Sequence, residues 1–107
     1  MEHRARLIER ACNLALSLLE SDIDYLDNVI ELNSIGNTIY DQCWGTEFHV
    51  FGVIASDTDH LPTKKVRQHC SSSILEKSDK ELKQIIESYK LDTTKGCNEI
   101  LSKYKSI

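Results

Sequence analysis

The run Asp57-Thr58-Asp59-His60 carries the closest approach in this sequence to a metal-binding pattern, because two carboxylates and an imidazole fall within four residues. A calcium loop opening at Asp57 needs Gly at its sixth position and Glu at its twelfth, where this chain has Pro62 and Gln68. A loop opening at Asp22 fails in the same way, with Asp27 and Asn33 at those two places. Zinc needs a pair of Cys or His ligands a few residues apart, and neither His69-Cys70 nor any other pair has that spacing. We therefore expect no metal ligands and no cofactor.

Nucleophilic chemistry fares no better. Cys12, Cys43, Cys70 and Cys97 are widely separated, contain no C-x-x-C pair, and read as reduced, mostly buried thiols. The sequence has no phosphate-cradling Gly loop, no G-x-S-x-G and no H-E-x-x-H. No catalytic residue is predicted, and the chain is expected not to be an enzyme.

What remains is charge. Residues 1–60 hold three Arg or Lys against eleven Asp or Glu, and residues 61–107 hold ten against six, so the overall −4 conceals halves of −8 and +4. Glu20, Asp22, Asp24, Asp27 and Glu31 form a run free of bases, and Asp57 and Asp59 extend the acidic character. Such a surface repels nucleic acid phosphate and speeds encounter with a basic protein. These seven carboxylates are the predicted partner-binding residues. The plain alternative for each is a solvated helix face.

The elements that would present them are helical. Leu7, Ile8, Ala11, Cys12, Leu14, Ala15, Leu18 and Leu19 recur at three- and four-residue intervals and predict an amphipathic helix over 2–20. Its basic start resembles a leader peptide, but Glu20, Asp22 and Asp24 stand where a small-residue cleavage site should be. A second helix, capped by Ser21 or Asp22, turns Ile23, Leu26, Val29 and Ile30 to one side and weakens at Gly36-Asn37 before Cys43. Phe48, Val50, Phe51, Val53 and Ile54 predict a short extended or irregular segment near 46–56, and Trp44 reads as core.

Pro62 opens a helix through Arg67, which Ser71-Ser72-Ser73 interrupts. Ser78-Asp79-Lys80-Glu81 has the form of a capping box for a further helix through Tyr89, and a last one begins near Asp92 or Thr93. The expected fold is an all-α, single-domain bundle of about five helices over 1–107. No apolar run approaches the roughly 20 residues of a membrane span, so we expect a cytoplasmic protein with no membrane contact.

The stretch Phe51-Gly52-Val53-Ile54-Ala55-Ser56-Asp57-Thr58-Asp59-His60-Leu61-Pro62, followed by Val66-Arg67 and Leu75, resembles a segment of bacterial toxin immunity proteins, including those of contact-dependent growth inhibition systems. There a hydrophobic strand-like run enters an acidic turn, then Leu-Pro and a helix. The resemblance covers about a quarter of the chain. It implies a protein that binds and neutralises a cognate toxin domain, commonly by covering its active site, and many such toxins are basic nucleases. The rival expectation is a non-enzymatic regulatory or adaptor protein for another cytoplasmic protein.

Overall fold

A computed structural model describes residues 2–41 and 44–105; Gln42 and Cys43 lie outside the described residues, so the expectation of a buried Cys43 thiol has no counterpart here. Among the described residues five helices follow one another: α1 (Glu2–Glu20), α2 (Tyr25–Tyr40), α3 (His49–Asp57), α4 (Lys64–Arg67) and α5 (Ser72–Tyr104). The all-α bundle anticipated from periodicity is what forms, and no strand occurs among the described residues. The helices are not, however, divided as the local signals suggested.

The α1 stripe behaves as its spacing dictates: Ala11, Cys12, Leu14, Ala15 and Leu18 are buried, and the helix packs along both α2 and α5. From α2, Leu26, Val29, Leu32 and Ile35 enter the same core. Ile23 and Ile30, expected on that inner face, instead stand 77% and 36% exposed. Ile23 precedes the helix, in the α1–α2 turn, and so escapes its phase. Gly36 does not end α2, which runs on to Tyr40 and stops at Asp41, a residue in the left-handed region (φ 68°).

The segment expected to be extended or irregular near 46–56 is helical from His49 to Asp57. Strand propensity of Val50, Phe51, Val53 and Ile54 is overridden because burial follows a period of three: Phe48, Phe51 and Ile54 are each fully buried. Removing each of those side chains from water is worth about 1.5–3 kcal/mol, more than the few tenths that separate helix and strand preferences. Two glycines admit this helix. A Cβ on Gly36 would lie 2.5 Å from Phe48 Cβ, and one on Gly96 would lie 2.6 Å from Val50 Cγ1. The α3 segment is thus wedged between α2 and α5 at closer range than any other residue allows.

The C-terminal half holds one helix of 33 residues in place of the two expected. Ser71, read as part of an interruption, is its N-cap, with Oγ accepting the Ile74 N–H at 3.3 Å. The Ser78–Glu81 pattern is not a cap, because the Asp79 carboxylate accepts from Arg67 and Glu81 meets His60 Nε2 at 2.7 Å. Nor does a helix begin at Thr93. That side chain is buried, its Oγ1 3.0 Å from Tyr25 OH. With no Pro between 72 and 104, nothing in the backbone obliges α5 to break.

Candidate functional site

The turn joining α1 to α2 gathers Glu20, Asp22 and Asp24 at one place. Ser21 N–H continues α1 by bonding Ser17 O (3.0 Å), Ile23 N–H is taken by Ser21 Oγ (3.0 Å), and Tyr25 N–H by Asp22 O (3.1 Å). Asp24 holds a left-handed conformation (φ 58°), which an Asp tolerates better than most residues. Backbone donors are thereby spent within the turn, and the side chains of Glu20, Asp22 and Ile23 are left pointing at solvent. Neither Glu20 nor Asp22 meets a cation among the described residues.

The other predicted acids are engaged within the molecule to differing degrees. Glu31 accepts a two-pronged bond from Arg10, Nε at 2.7 Å and Nη2 at 2.9 Å, and that bond first of all holds its carboxyl below the usual range. Asp27 accepts the Lys64 backbone N–H at 3.2 Å, tying the start of α4 to α2, and Asp24 Oδ1 lies 3.8 Å from Lys64 Nζ. Asp57 accepts from Tyr89 OH, a bond that pushes the phenol's pKa up. Asp59 extends into solvent with His60 Nδ1 3.8 Å away. Asp57 thus ends α3 and Asp59 lies in the α3–α4 connection, and neither is hydrogen-bonded or ion-paired to Glu20 or Asp22 among the described residues.

Asp57-Thr58-Asp59-His60, the most metal-like run, is dispersed by this geometry. Thr58 is buried and donates to Ile54 O at 2.7 Å, while its acidic neighbours engage Tyr89 and His60. No group of three or more His, Cys, Asp or Glu placed to hold a metal ion occurs among the described residues. Cys12 and Cys97 are free and buried, and burial pushes the Cys97 thiol up to about 12 and raises Cys12 as well. Both stay protonated at neutral pH, the unreactive form of the group. Cys70 is half-buried, its Sγ 3.6 Å from Val66 O.

One cluster gave no signal in the sequence. Glu47, counted there only as part of the general acidity, has a side chain just 8% exposed and accepts from Tyr104 OH and from Tyr40 OH (2.7 Å), with Lys103 Nζ at 3.4 Å. Lys103 Nζ also donates to Tyr40 OH at 2.8 Å and lies over both phenol rings. Burial acts to raise the Glu47 carboxyl, but the bonds from Tyr104 and Tyr40, aided by Lys103, outweigh it and keep it below the ordinary range. Tyr104 is pushed up by burial and by that carboxylate. The cluster fastens the last turn of α5 to the α2–α3 connection. Trp44, on the same connection, was expected in the core and is 52% exposed, its ring edge-on to His49 at 5.1 Å.

No helix of the described residues is long and apolar enough to cross a membrane. Compared with family models, curated proteins and solved structures, the chain matches none.

Proposed function

We propose that this chain is a non-enzymatic immunity protein that acts in the cytoplasm, where it binds a cognate toxin domain, a basic nuclease, and neutralises it by laying an acidic surface over the cationic ground that nucleic acid would occupy. The observation that carries this reading is the state of Glu20 and Asp22: two exposed carboxylates with no ion pair among the described residues, just ahead of an isoleucine that is 77% exposed. Charges already satisfied inside a fold add little to association, whereas unpaired ones raise the on-rate toward a surface of opposite sign. Of the seven acids, Glu20 and Asp22 are therefore the contact set, and Asp24, 3.8 Å from Lys64 Nζ, stands beside them. Asp27, Glu31 and Asp57 serve mainly to hold the fold, and Asp59 is peripheral.

The segment behind the family resemblance supports the reading only in its second half. Phe51–Asp57 is helix and not the strand-like run of that pattern, while the acidic turn, Leu61-Pro62 and the following helix are present. The test is co-expression with a toxin domain encoded beside this chain, pull-down, and kinetics of the complex. Glu20→Lys with Asp22→Lys should lower the association rate and weaken binding by about tenfold at low salt, and by less at high salt. Glu31→Gln, which alters a carboxylate occupied by Arg10, should bind as the native chain does. Undiminished affinity and cell protection by the reversed variant would refute the acidic-surface mechanism.

A further inference from the structure

Between Leu61 and Thr93 no residue is buried, and over 62–70 no side chain joins the core. Charge is what holds that stretch against its neighbours. On one side Lys64 gives its backbone N–H to the Asp27 carboxylate (3.2 Å) and brings its ammonium to 3.8 Å from Asp24 Oδ1. On the other side Arg67 grips Asp79 of α5 through Nη1 (2.6 Å) and Nη2 (3.2 Å). The backbone bonds of the segment are local, from Arg67 N–H to Thr63 O, His69 N–H to Val66 O and Cys70 N–H to Arg67 O, so they travel with it. Lys64 is 76% exposed and Asp79 54%, which makes both ion pairs surface contacts, individually weak and screened by salt. A helical turn with no buried apolar anchor and tethers of this kind belongs to the least stable part of a fold.

The strap lies at a place that matters. Asp24 shares its turn with Glu20 and Asp22, and among the described residues Lys64 is the cation within ion-pair range of that turn. Lys90 of α5 borders the cleft beside Glu20 and Asp22 and pairs with neither. Lys64-Lys65-Val66-Arg67 itself carries three cations in four positions, the charge expected of a partner for the acidic turn. We propose that α4 is an internal competitor, a basic strap that occupies Asp24 and Asp27 in the free chain and lifts when a basic partner takes hold. The inference rests on the acidic-surface reading and adds a regulation to it. Glu20 and Asp22 capture the partner, and Asp24 and Asp27 become available as Lys64 leaves. Leu61, buried, and Ser71, the N-cap of α5, are the fixed points between which the strap moves. A single stray cation cannot replace both contacts of Lys64, so the strap favours partners that present several charges together.

The probe is a hexa-arginine peptide, titrated at low salt into the purified chain while amide exchange is followed by NMR. In the free chain the Lys64 and Arg67 amides should lose protection as salt rises to about 0.5 M, where charges are screened beyond a few ångströms, while Ala11 and Leu14 in α1 keep theirs. Lys64→Gln and Asp79→Asn should each open the strap about two- to fivefold further, the worth of a surface pair, and Lys64→Gln should tighten peptide binding by a similar factor. In the native chain the same two amides should lose protection as the peptide saturates. Lys90→Gln removes a cation from the neighbourhood without touching the strap and should leave its exchange unchanged. All the altered side chains are exposed, and unchanged melting establishes that the variants are folded. A strap as protected as α1 at high salt, one that gains protection when the peptide binds, or one that Lys90→Gln opens as far as Lys64→Gln does would overturn the proposal. If the peptide does not bind, or binds equally after Glu20→Lys with Asp22→Lys, the acidic-surface reading falls and this inference with it. Binding that depends on Glu20 and Asp22 while Lys64 stays protected in the complex would remove the strap's role alone.

Discussion

Replacing Gly96 by Ala tests the wedge that organises the core. In the middle of a helix that substitution ordinarily stabilises by about 1 kcal/mol, because glycine forfeits backbone entropy. Here the new methyl would sit 2.6 Å from Val50 Cγ1 and 3.2–3.3 Å from Phe51 Cζ and Cε2. Val50 cannot easily swing aside, since a β-branched residue within a helix has one strongly preferred rotamer. Phe51 is fully buried and has no room to retreat. Overpacking of this kind costs about 1–3 kcal/mol, so Gly96→Ala should lose about 1 kcal/mol net, or about 4–8 °C of melting temperature. In a Val50→Ala background the 2.6 Å contact is gone, and the same change should be neutral or stabilising by up to about 1 kcal/mol. Urea unfolding of the four chains of this cycle, followed by far-UV circular dichroism, yields the coupling. Stabilisation by Gly96→Ala in the native chain, or an equal cost in both backgrounds, would refute the claim that close approach of α3 is why glycine stands there.

Glu47→Gln should destabilise by about 1.5–3 kcal/mol, the usual worth of bonds to a charged acceptor. Because the folded carboxyl titrates below its unfolded value, the gap between native and variant should be constant above about pH 5 and close as pH falls through the folded pKa; a gap that grows in acid would contradict the assignment. Asp41→Gly relieves a left-handed backbone (φ 68°) at the end of α2 and should stabilise by up to about 1 kcal/mol in thermal melts, with any loss pointing to an unrecognised role for the side chain. Tyr25→Phe and Thr93→Val should each cost about 1–3 kcal/mol by orphaning a buried hydroxyl, while the double variant should recover much of the loss; additive costs would show that the two hydroxyls do not serve each other.

The parts of this fold that were legible in the sequence are those where one face does one job. The α1 stripe is repetitive enough that Ala11, Leu14, Ala15 and Leu18 reveal their burial without knowledge of any neighbour. The Ser78-x-x-Glu81 pattern misleads because a capping box is defined by short-range partners, whereas Asp79 and Glu81 are engaged by Arg67 and His60 from outside the helix. In the 46–56 segment strand propensity was outweighed by the tertiary pocket that Gly36 and Gly96 open, which exists only after α2 and α5 are in place. The acidic residues were visible as a composition, but their division into spent and unspent charge was not. Arg10 lies 21 positions from Glu31 and Lys64 lies 37 from Asp27, separations over which no local pattern operates. Glu47 is the extreme case, with its donors at positions 40, 103 and 104.

The length and position of α5 bear on how the chain is made. Phe48, Phe51 and Ile54 depend on the segment around Gly96 and Ile100 for cover, and the clasp at Glu47 is complete only when Tyr104 is present. During synthesis the N-terminal helices emerge first, and for tens of residues of elongation their apolar faces have no lid. Docking of α5 then closes loops as long as that from Tyr25 to Thr93, 68 positions apart, a topology that folds more slowly than a bundle of neighbouring hairpins. Until α5 has been made and docked, those apolar faces stay open to other contacts, so the order of synthesis leaves the first half of the fold exposed longest.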